Sequence, residues 1–154
     1  IIFKDFTPLL PNAKRLALAV DLMTQPFRGP GVALVAGAES RGFIFGTAIA
    51  QALSAGFVPA RKPGKLPRKV EAVEYSLEYG RDRLEIHADT ITKGRRVLLV
   101  DDLLATGGTL SACCQLVGRM GATVVGMSVL IEISSLKGRD KLTPFGPVHS
   151  VVRY

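Results

Sequence analysis

The chain has 154 residues, of which 47% are hydrophobic and 21% are charged, and its formal net charge is +7. This length and balance predict one folded domain with a real core and exclude a disordered chain. No apolar run approaches the roughly 18–20 residues that a membrane-spanning helix needs, and the opening residues lack the pattern of a signal peptide.

The positive charge favours a polyanionic partner: nucleic acid, a membrane surface or a phosphorylated small molecule. Basic residues are densest over 61–69, "RKPGKLPRK". The chain has neither a long basic helix nor the mixture of basic and aromatic residues typical of RNA-binding proteins. Because the basic run is short and follows a predicted strand, it favours a small phosphorylated ligand over nucleic acid.

Hydrophobic patterning divides the chain into alternating strands and helices. Segment 70–86 instead alternates around "EYGRD", which predicts a hairpin-like excursion outside the core. In chain order, the predicted elements are a helix over 13–24, a strand over 32–36, a turn over 37–41, a helix over 42–55, a strand over 57–60, the excursion over 70–86, a strand over 97–100, a helix over 109–120, and strands over 123–131 and 148–154.

This succession predicts a single α/β domain over residues 1–154, with a mainly parallel central sheet flanked by helices. Ligands of such sheets bind in the turns that follow the carboxyl ends of the strands. Two turns therefore become candidate ligand sites, 37–41 and 101–109. On the third helix, the adjacent Cys113 and Cys114 are predicted to be buried reduced thiols, which favours a cytoplasmic location.

The segment "ATGGT" at 105–109 has the chemistry of an anion site. Gly107 and Gly108 let backbone amides converge, because a residue without Cβ tolerates a positive φ and close approach. The first amides of the following helix lack internal partners, and Thr106 and Thr109 add hydroxyl donors. This arrangement suits a phosphate monoester, although the lysine of a P-loop is missing.

Asp101 and Asp102 come directly before this nest of amides. Two carboxylates repel phosphate, but they accept hydrogen bonds from a diol or balance a nearby cation. A 5-phosphorylated ribose has a phosphate at one end and a pair of hydroxyls at the other. Such a ligand explains why an anion site and two carboxylates lie next to each other in the sequence. In the first turn, "GAESRG" offers Arg41 and backbone amides at a helix start, which makes it a second candidate anion site.

These residues carry a resemblance to a known family. "VLLVDDLLATGGT" resembles the signature of type I phosphoribosyltransferases, which bind 5-phosphoribosyl-1-pyrophosphate. The similarity extends over nearly the whole chain through "IIFKDFTPLL", "AGAESRGFIFG", "RKPGKLP", "YSLEYG" and "SLKGRDKL". "SRGFIFG" together with "YSLEYG" resembles the adenine-specific branch. Since the chain begins on Ile1, just before "FKDF", we expect a native N-terminal segment to be missing.

The resemblance implies the type I phosphoribosyltransferase fold, with a small hood and a flexible hairpin-like loop beside the sheet. It implies transfer of the 5-phosphoribosyl group from phosphoribosyl pyrophosphate to adenine, which gives AMP and pyrophosphate in purine salvage. Mg²⁺ is the implied cofactor, held mainly through substrate and water with no direct protein ligand. The implied assembly is a cytoplasmic homodimer that binds neither nucleic acid nor membrane.

The family's site residues carry over to this sequence position by position. For the sugar phosphate, the resemblance implies Ala105, Thr106, Gly107, Gly108 and Thr109, and for the sugar hydroxyls Asp101 and Asp102. For pyrophosphate, it implies Ala38, Glu39 and Ser40 through their amides, and the side chains of Arg41, Arg61, Lys62 and Lys65. For adenine, it implies stacking by Phe3, largely backbone contacts from Ile2 and Lys4, and closure of the other face by Leu103.

Glu78 and Tyr79 lie in "LEYG", which the resemblance places on a mobile loop that closes over the site. Glu78 is the carboxylate that would receive the proton that adenine loses as its nitrogen attacks. Arg41 is the second implied catalytic residue, because it would neutralise the leaving pyrophosphate. Without the resemblance, an exposed hairpin charge is the commoner fate of such a glutamate.

Two other functions stay open. One is the same chemistry on hypoxanthine, guanine, xanthine or orotate, against which "YSLEYG" argues. The other is a transcriptional regulator that keeps the phosphoribosyl pyrophosphate site and binds DNA; the net charge favours it, but no added DNA-binding segment is present. Outside the site, we predict a polar surface turn at "SLKGRDKL", packing for Tyr75, a solvated or packed His87 and a structural Glu132.

Overall fold

The structure, a computed structural model, describes residues 4–77 and 79–154. The strands in that part of the chain are β1 Leu34–Ala38, β2 Gly56–Ala60, β3 Val70–Leu77, β4 Gly80–His87, β5 Arg96–Leu104, β6 Thr123–Glu132 and β7 Val148–Arg153. The α-helices are α1 Ala13–Thr24, α2 Gly42–Ala52, α3 Gly108–Arg119 and α4 Gly138–Leu142, and 3₁₀ turns cover Thr7–Leu9, Gln25–Phe27 and Ser134–Leu136. Among the described helices, none has the length and apolar character needed to cross a membrane.

The expected α/β architecture is confirmed. Five parallel strands form a sheet in the order β2-β1-β5-β6-β7, and β3 and β4 form the predicted antiparallel hairpin beside it. α1 begins where expected, because the Asn12 side chain accepts a hydrogen bond from the Arg15 amide at 3.0 Å and caps the helix. It ends immediately before the 3₁₀ turn that contains Pro26.

The prediction that residues 101–104 belong to a turn is wrong, because β5 continues through them. β6 pairs with β5 as far as Leu104, which lies opposite Glu132. β1 pairs with β5 only up to Val100, which lies opposite Gly37. The last four residues of β5 therefore have a neighbouring strand on one side and an open edge on the other.

The prediction of a polar surface turn at "SLKGRDKL" is also wrong. The segment forms a 3₁₀ turn followed by α4, and both Gly138 and Leu142 are buried. These two residues are four positions apart and so share one face of the short helix. Five residues are too few to give a helical period in the sequence, and the many polar residues around them hid the buried face.

The sheet separates two hydrophobic cores, and β5 contributes to both. Leu98 and Val100 pack on the side of α1 and α2, while Val97 and Leu99 pack on the side of α3 and the hairpin. All four side chains are at most 1% exposed. An unbroken apolar run is what a strand buried on both faces requires, so "VLLV" fixes this strand at the centre of the fold.

The adjacent cysteines of α3 are free and buried, as expected. Burial raises the pKa of both thiols, that of Cys114 to about 12, and the Asp101 carboxylate raises the pKa of Cys113 further. Both thiols therefore stay protonated at neutral pH and serve as core side chains.

We expect Leu99→Ala to lower the free energy of unfolding by about 3–5 kcal/mol, because the truncation leaves a cavity at a fully buried position. Urea-induced unfolding followed by circular dichroism measures the change. Leu18→Ala on α1 is the matched control, since that side chain is 57% exposed, and it should shift stability by less than about 0.5 kcal/mol. Equal stability of the two variants would contradict a core position for Leu99.

Candidate active site

The site lies at the carboxyl ends of β1 and β5, where the connections of the sheet diverge. β1 leads through α2 to β2 on one side, whereas β5 leads through α3 to β6 on the other. Diverging loops leave a crevice between the two strands, which is the usual ligand position in such sheets. A cleft of about 190 Å³ lies there, lined by Arg41 and by residues 101–110.

The paired carboxylates meet Arg41 at the open edge of β5. The Arg41 Nε lies 3.1 Å from the Asp102 Oδ2, and Asp102 is only 6% exposed. The contact lacks the alignment of a hydrogen bond, so within the described residues this buried oxygen has no hydrogen-bond donor. A buried acceptor without a donor is unusual and fits a site that awaits a ligand hydroxyl. Gly42 permits the close packing, since a Cβ there would lie 3.1 Å from the Asp101 Oδ1.

Burial raises the pKa of Asp101 well above its usual range, and the neighbouring Asp102 carboxylate raises it further. The Asp102 amide, which donates to the Asp101 Oδ1 at 2.8 Å, and the Arg41 guanidinium lower it without cancelling the shift. The paired carboxyl groups offer several oxygen atoms that can accept hydrogen bonds from a diol.

The predicted nest of amides forms at the start of α3, which begins at Gly108, one residue earlier than expected. Gly107 adopts a φ of +87°, a left-handed conformation that glycine accepts without strain. The helical hydrogen bond closest to the start runs from the Ser111 amide to the Gly107 oxygen at 2.9 Å. The amides before Ser111 have no acceptor inside the helix, and an anion placed at them meets the positive end of the helix dipole.

The first turn differs from expectation at Glu39. Its amide donates to the Ala60 oxygen at 2.9 Å, which prolongs the pairing of β1 with β2. This amide is therefore unavailable to an anion, contrary to the prediction, because the sheet already uses it. Ala38 is buried as the last residue of β1, so Ser40 and the half-exposed Arg41 are the residues of this turn that remain for an anion.

The carboxylate of Glu39 organises the start of the basic loop. Its Oε1 accepts from the Lys62 amide at 2.6 Å and lies 3.4 Å from the Arg61 Nε, and its Oε2 pairs with the Lys65 Nζ at 2.9 Å. Although burial acts to raise the pKa of Glu39, these contacts hold it below its usual value. Three of the four basic residues expected at pyrophosphate, those of the basic loop, are thus gathered around one carboxylate beside the first turn.

The hairpin is fastened to the same basic loop. The Lys62 Nζ forms an ion pair with Asp82 of β4, and the Tyr75 hydroxyl lies 3.4 Å from both partners. Burial alone would lower the pKa of Lys62, but the contacts with Asp82 and Tyr75 raise it. The Tyr75 ring also packs over Gly108, where a Cβ would lie 3.4 Å from the ring, so the packing predicted for Tyr75 is confirmed.

Ile2 and Phe3, expected to bind adenine, and Glu78, expected to act on its proton, lie outside the described residues. Tyr79, the other residue predicted on the closing loop, is 92% exposed. The roles of these four residues stay predictions.

Two aromatic rings that the sequence reasoning missed lie beside basic residues of the site. The Lys4 Nζ lies 5.1 Å from the centroid of the Tyr154 ring, and the Arg41 Cζ lies 5.5 Å from that of Phe6. Leu103 is half-buried and lines the cleft from β5, and its expected place against adenine stays a prediction. The second aromatic residue of "FKDF" was a usable signal for Phe6, whereas nothing in the sequence relates Tyr154 to Lys4.

Comparisons with known proteins agree with one another. The profile of the phosphoribosyl transferase domain matches residues 11–146. An adenine phosphoribosyltransferase of Rhodopirellula baltica is 52% identical over 154 residues, which are 100% of this chain and 74% of that protein. The adenine phosphoribosyltransferase structure from Rhodothermus marinus has a TM-score of 0.96 at 49% identity, covering 100% of this chain and 88% of that one. The structure from Saccharomyces cerevisiae, complexed with D-2,5-dideoxy-2,5-imino-altritol 1,6-bisphosphate and adenine, has a TM-score of 0.91 at 38% identity, covering 98% and 87%.

Asp101→Asn is expected to raise the free energy of unfolding at neutral pH. A pKa raised by folding means that the folded chain binds this proton more tightly than the unfolded chain does. Asp101 therefore makes the wild type less stable as the pH rises from its ordinary pKa of 3.8 to the raised pKa of the folded state. The asparagine side chain keeps the shape of aspartate without its charge, so the variant does not lose this stability as the pH rises.

Thermal unfolding of both chains between about pH 4 and pH 8 measures the effect, and the gap should widen as the pH rises. Asp89→Asn is the control, because Asp89 is exposed and pairs with Arg68 at 3.1 Å, and it should not stabilise the chain. A wild type and an Asp101→Asn variant with parallel pH profiles would contradict the raised pKa.

Proposed function

The chain belongs to the phosphoribosyl transferase family, and from that premise we propose how its residues divide the work of the reaction. It transfers the 5-phosphoribosyl group of phosphoribosyl pyrophosphate to adenine, and AMP and pyrophosphate are the products. The observation that carries this function is the single cleft that brings Arg41, the paired carboxylates and the start of α3 together. Another base and a DNA-binding regulator are disfavoured, because relatives named for adenine match this chain over at least 92% of its length.

We assign the sugar phosphate to the amides and hydroxyls of 105–109 and the sugar hydroxyls to Asp101 and Asp102. The buried Asp102 Oδ2 supports this assignment, since a ribose hydroxyl would supply the hydrogen-bond donor that this oxygen lacks. Contacts at both ends of the sugar fix its orientation, which places the reacting carbon before the incoming base.

Arg41 faces the leaving group in this proposal. Its ion pair with Asp102 supports this role, because it holds the guanidinium beside a residue that we assign to the sugar hydroxyls. Its positive charge neutralises the negative charge that develops as the bond between the sugar carbon and pyrophosphate breaks. The basic residues of loop 61–65 add further positive charge when their side chains leave Glu39 and Asp82 and pair with the oxygens of pyrophosphate.

Mg²⁺ belongs to the proposal as an ion carried by the substrate. Within residues 4–77 and 79–154 no group of three or more metal-binding side chains occurs, so the described chain offers no metal cage. The adjacent carboxylates of Asp101 and Asp102 fit a hard cation that keeps water and substrate oxygens as its main ligands. When bound, the ion adds positive charge against the leaving pyrophosphate.

For the base, we propose a pocket formed by Ile2, Phe3, Lys4 and Leu103, with Glu78 as the acceptor of the adenine proton. Closure of the loop that carries Glu78 and Tyr79 would exclude water from the activated sugar. The attachment of the hairpin to the basic loop and its packing on α3 support this placement beside the cleft.

We further propose a single domain over 1–154, a homodimer and a cytoplasmic location. The single parallel sheet that joins β2 to β7 supports one domain. The two buried free thiols support a reducing compartment. The homodimer is proposed from the family resemblance alone.

A base panel tests the function. With Mg²⁺ and phosphoribosyl pyrophosphate, we expect adenine to release pyrophosphate at least about 100-fold faster than hypoxanthine, guanine or orotate, because a pocket that hydrogen-bonds one base leaves polar groups unpaired against another. An equal rate with another base would overturn the assignment to adenine. A chain that releases no pyrophosphate with any base and shifts duplex DNA at physiological salt would establish the regulator instead.

Glu78→Gln is expected to lower kcat by about 100-fold or more, because the amide cannot accept the proton that adenine loses. Glu74→Gln is the matched control, since Glu74 is an exposed glutamate of the same hairpin with only a distant ion pair to Arg81. Steady-state pyrophosphate release measures both variants. Unchanged turnover in Glu78→Gln would remove the catalytic role of this residue.

A further inference from the structure

The phosphate loop, residues 105–109, rests directly on the backbone of α4. A Cβ on Gly138 would lie 2.3 Å from the Ala105 oxygen and 3.0 Å from the Gly107 amide nitrogen. In the opposite direction, a Cβ on Gly107 would lie 2.7 Å from the Gly138 oxygen. Backbone therefore meets backbone at this contact, and neither side has room for a side chain. A displacement of Gly138 would be passed directly to the phosphate loop.

Arg139, the residue after Gly138, ties α4 to the sheet. Its Nε lies 2.9 and 3.1 Å from the two oxygens of Glu132, the last residue of β6. Its terminal nitrogens donate to the Val148 oxygen and, at 3.0 Å, to the Ser150 Oγ on β7. Glu132 is only 4% exposed, so this charge-assisted network is largely withdrawn from water.

The two faces of α4 thus have different partners. Gly138 and the fully buried Leu142 face the phosphate loop and the core beside it, while Arg139 reaches the end of β6 and the neighbouring β7. Lys137 turns the chain into α4 with a φ of +54°, which leaves little freedom at the helix start. The end of β6 and the first half of β7 therefore set the position of α4, and α4 sets the position of the loop.

The phosphate loop needs this support from α4, because its own side chains contribute little to its rigidity. Gly107 and Gly108 contribute no side chains, and Thr106 is exposed. Loops of this composition are permissive in φ and ψ, and they lose conformational entropy when an anion orders them. A rigid backing lowers that loss and keeps the amides aimed at one point.

We propose that Arg139, acting through Gly138, is a positioning residue for the 5-phosphate subsite. The proposal rests on the proposed function in one respect, that the phosphate of the sugar binds at 105–109. Arg139 does not touch the substrate. It holds the backbone of Gly138 against Ala105 and Gly107, so that the amides of the loop meet the phosphate without rearrangement.

Arg139→Lys and Gly138→Ala test the proposal in the full-length chain. The first keeps the charge and loses the planar fork, and the second pushes the loop while leaving the Arg139 network in place. We expect each to raise the KM for phosphoribosyl pyrophosphate and the Kd for ribose 5-phosphate by about tenfold or more, because misplaced binding groups of this kind cost one to two orders of magnitude. The KM for adenine should stay within about twofold, since the base binds to other residues.

Two controls separate positioning from general stability. Arg153→Lys alters a second arginine that approaches Glu132, at 3.7 Å, but lies on β7 and outside the contact with the loop. Gly118→Ala adds a methyl group on α3 where nothing lies within 4 Å. Both should keep the Kd for ribose 5-phosphate within about twofold by titration calorimetry.

Ribose 5-phosphate binding that stays at the wild-type level in Arg139→Lys would overturn the positioning role of Arg139, and the same result in Gly138→Ala would overturn the route through Gly138. An equal rise in the KM of both substrates, or an equal effect of Arg153→Lys, would overturn the positioning role as well, since a merely structural network predicts those results. A wild-type chain that binds no ribose 5-phosphate would instead overturn the proposed phosphate site and, with it, this inference.

Discussion

The length of β5 relative to β1 determines the arrangement of the whole site. Hydrogen bonding to β1 stops at Val100, but β5 runs on for four residues, beside which β6 is the only strand among the described residues. Asp101 and Asp102 lie on this stretch of β5, which pairs with β6 on one side and borders the crevice between the diverging loops on the other. Burial of neighbouring carboxylates is unfavourable, and it is tolerated here because Arg41 stands at the same open edge.

Close contacts between backbone segments also make the site rigid without the use of side chains. Gly42 lets α2 start against Asp101, and Gly107 and Gly138 let the phosphate loop lie on α4. At Gly107 and Gly138 a methyl group would force backbone atoms apart, so these two glycines set distances that no rotamer change can restore. The packing of backbone on backbone thus fixes the amides at the start of α3 without using side chains.

The sequence predicted the parts of this structure that depend on local patterns. Unbroken apolar runs indicated the parallel strands, and paired glycines indicated the turn that leads into α3. Two adjacent aspartates suggested a turn, but the pairing of Leu104 with β6 kept the strand going. The role of the Glu39 carboxylate and the support from Arg139 depend on contacts between residues distant in the chain, and no local pattern encodes them.

The acidic partners of the basic loop have a consequence for turnover. Lys62 and Lys65 are already neutralised by Asp82 and Glu39 in the free chain. Under the proposed function, pyrophosphate must therefore compete with two built-in carboxylates for the same cations. This competition weakens the binding of pyrophosphate after the bond is broken, because a carboxylate pairs with each lysine as pyrophosphate leaves. An acidic residue in an anion site then competes with the product for the lysines, so that a highly charged product does not stay bound.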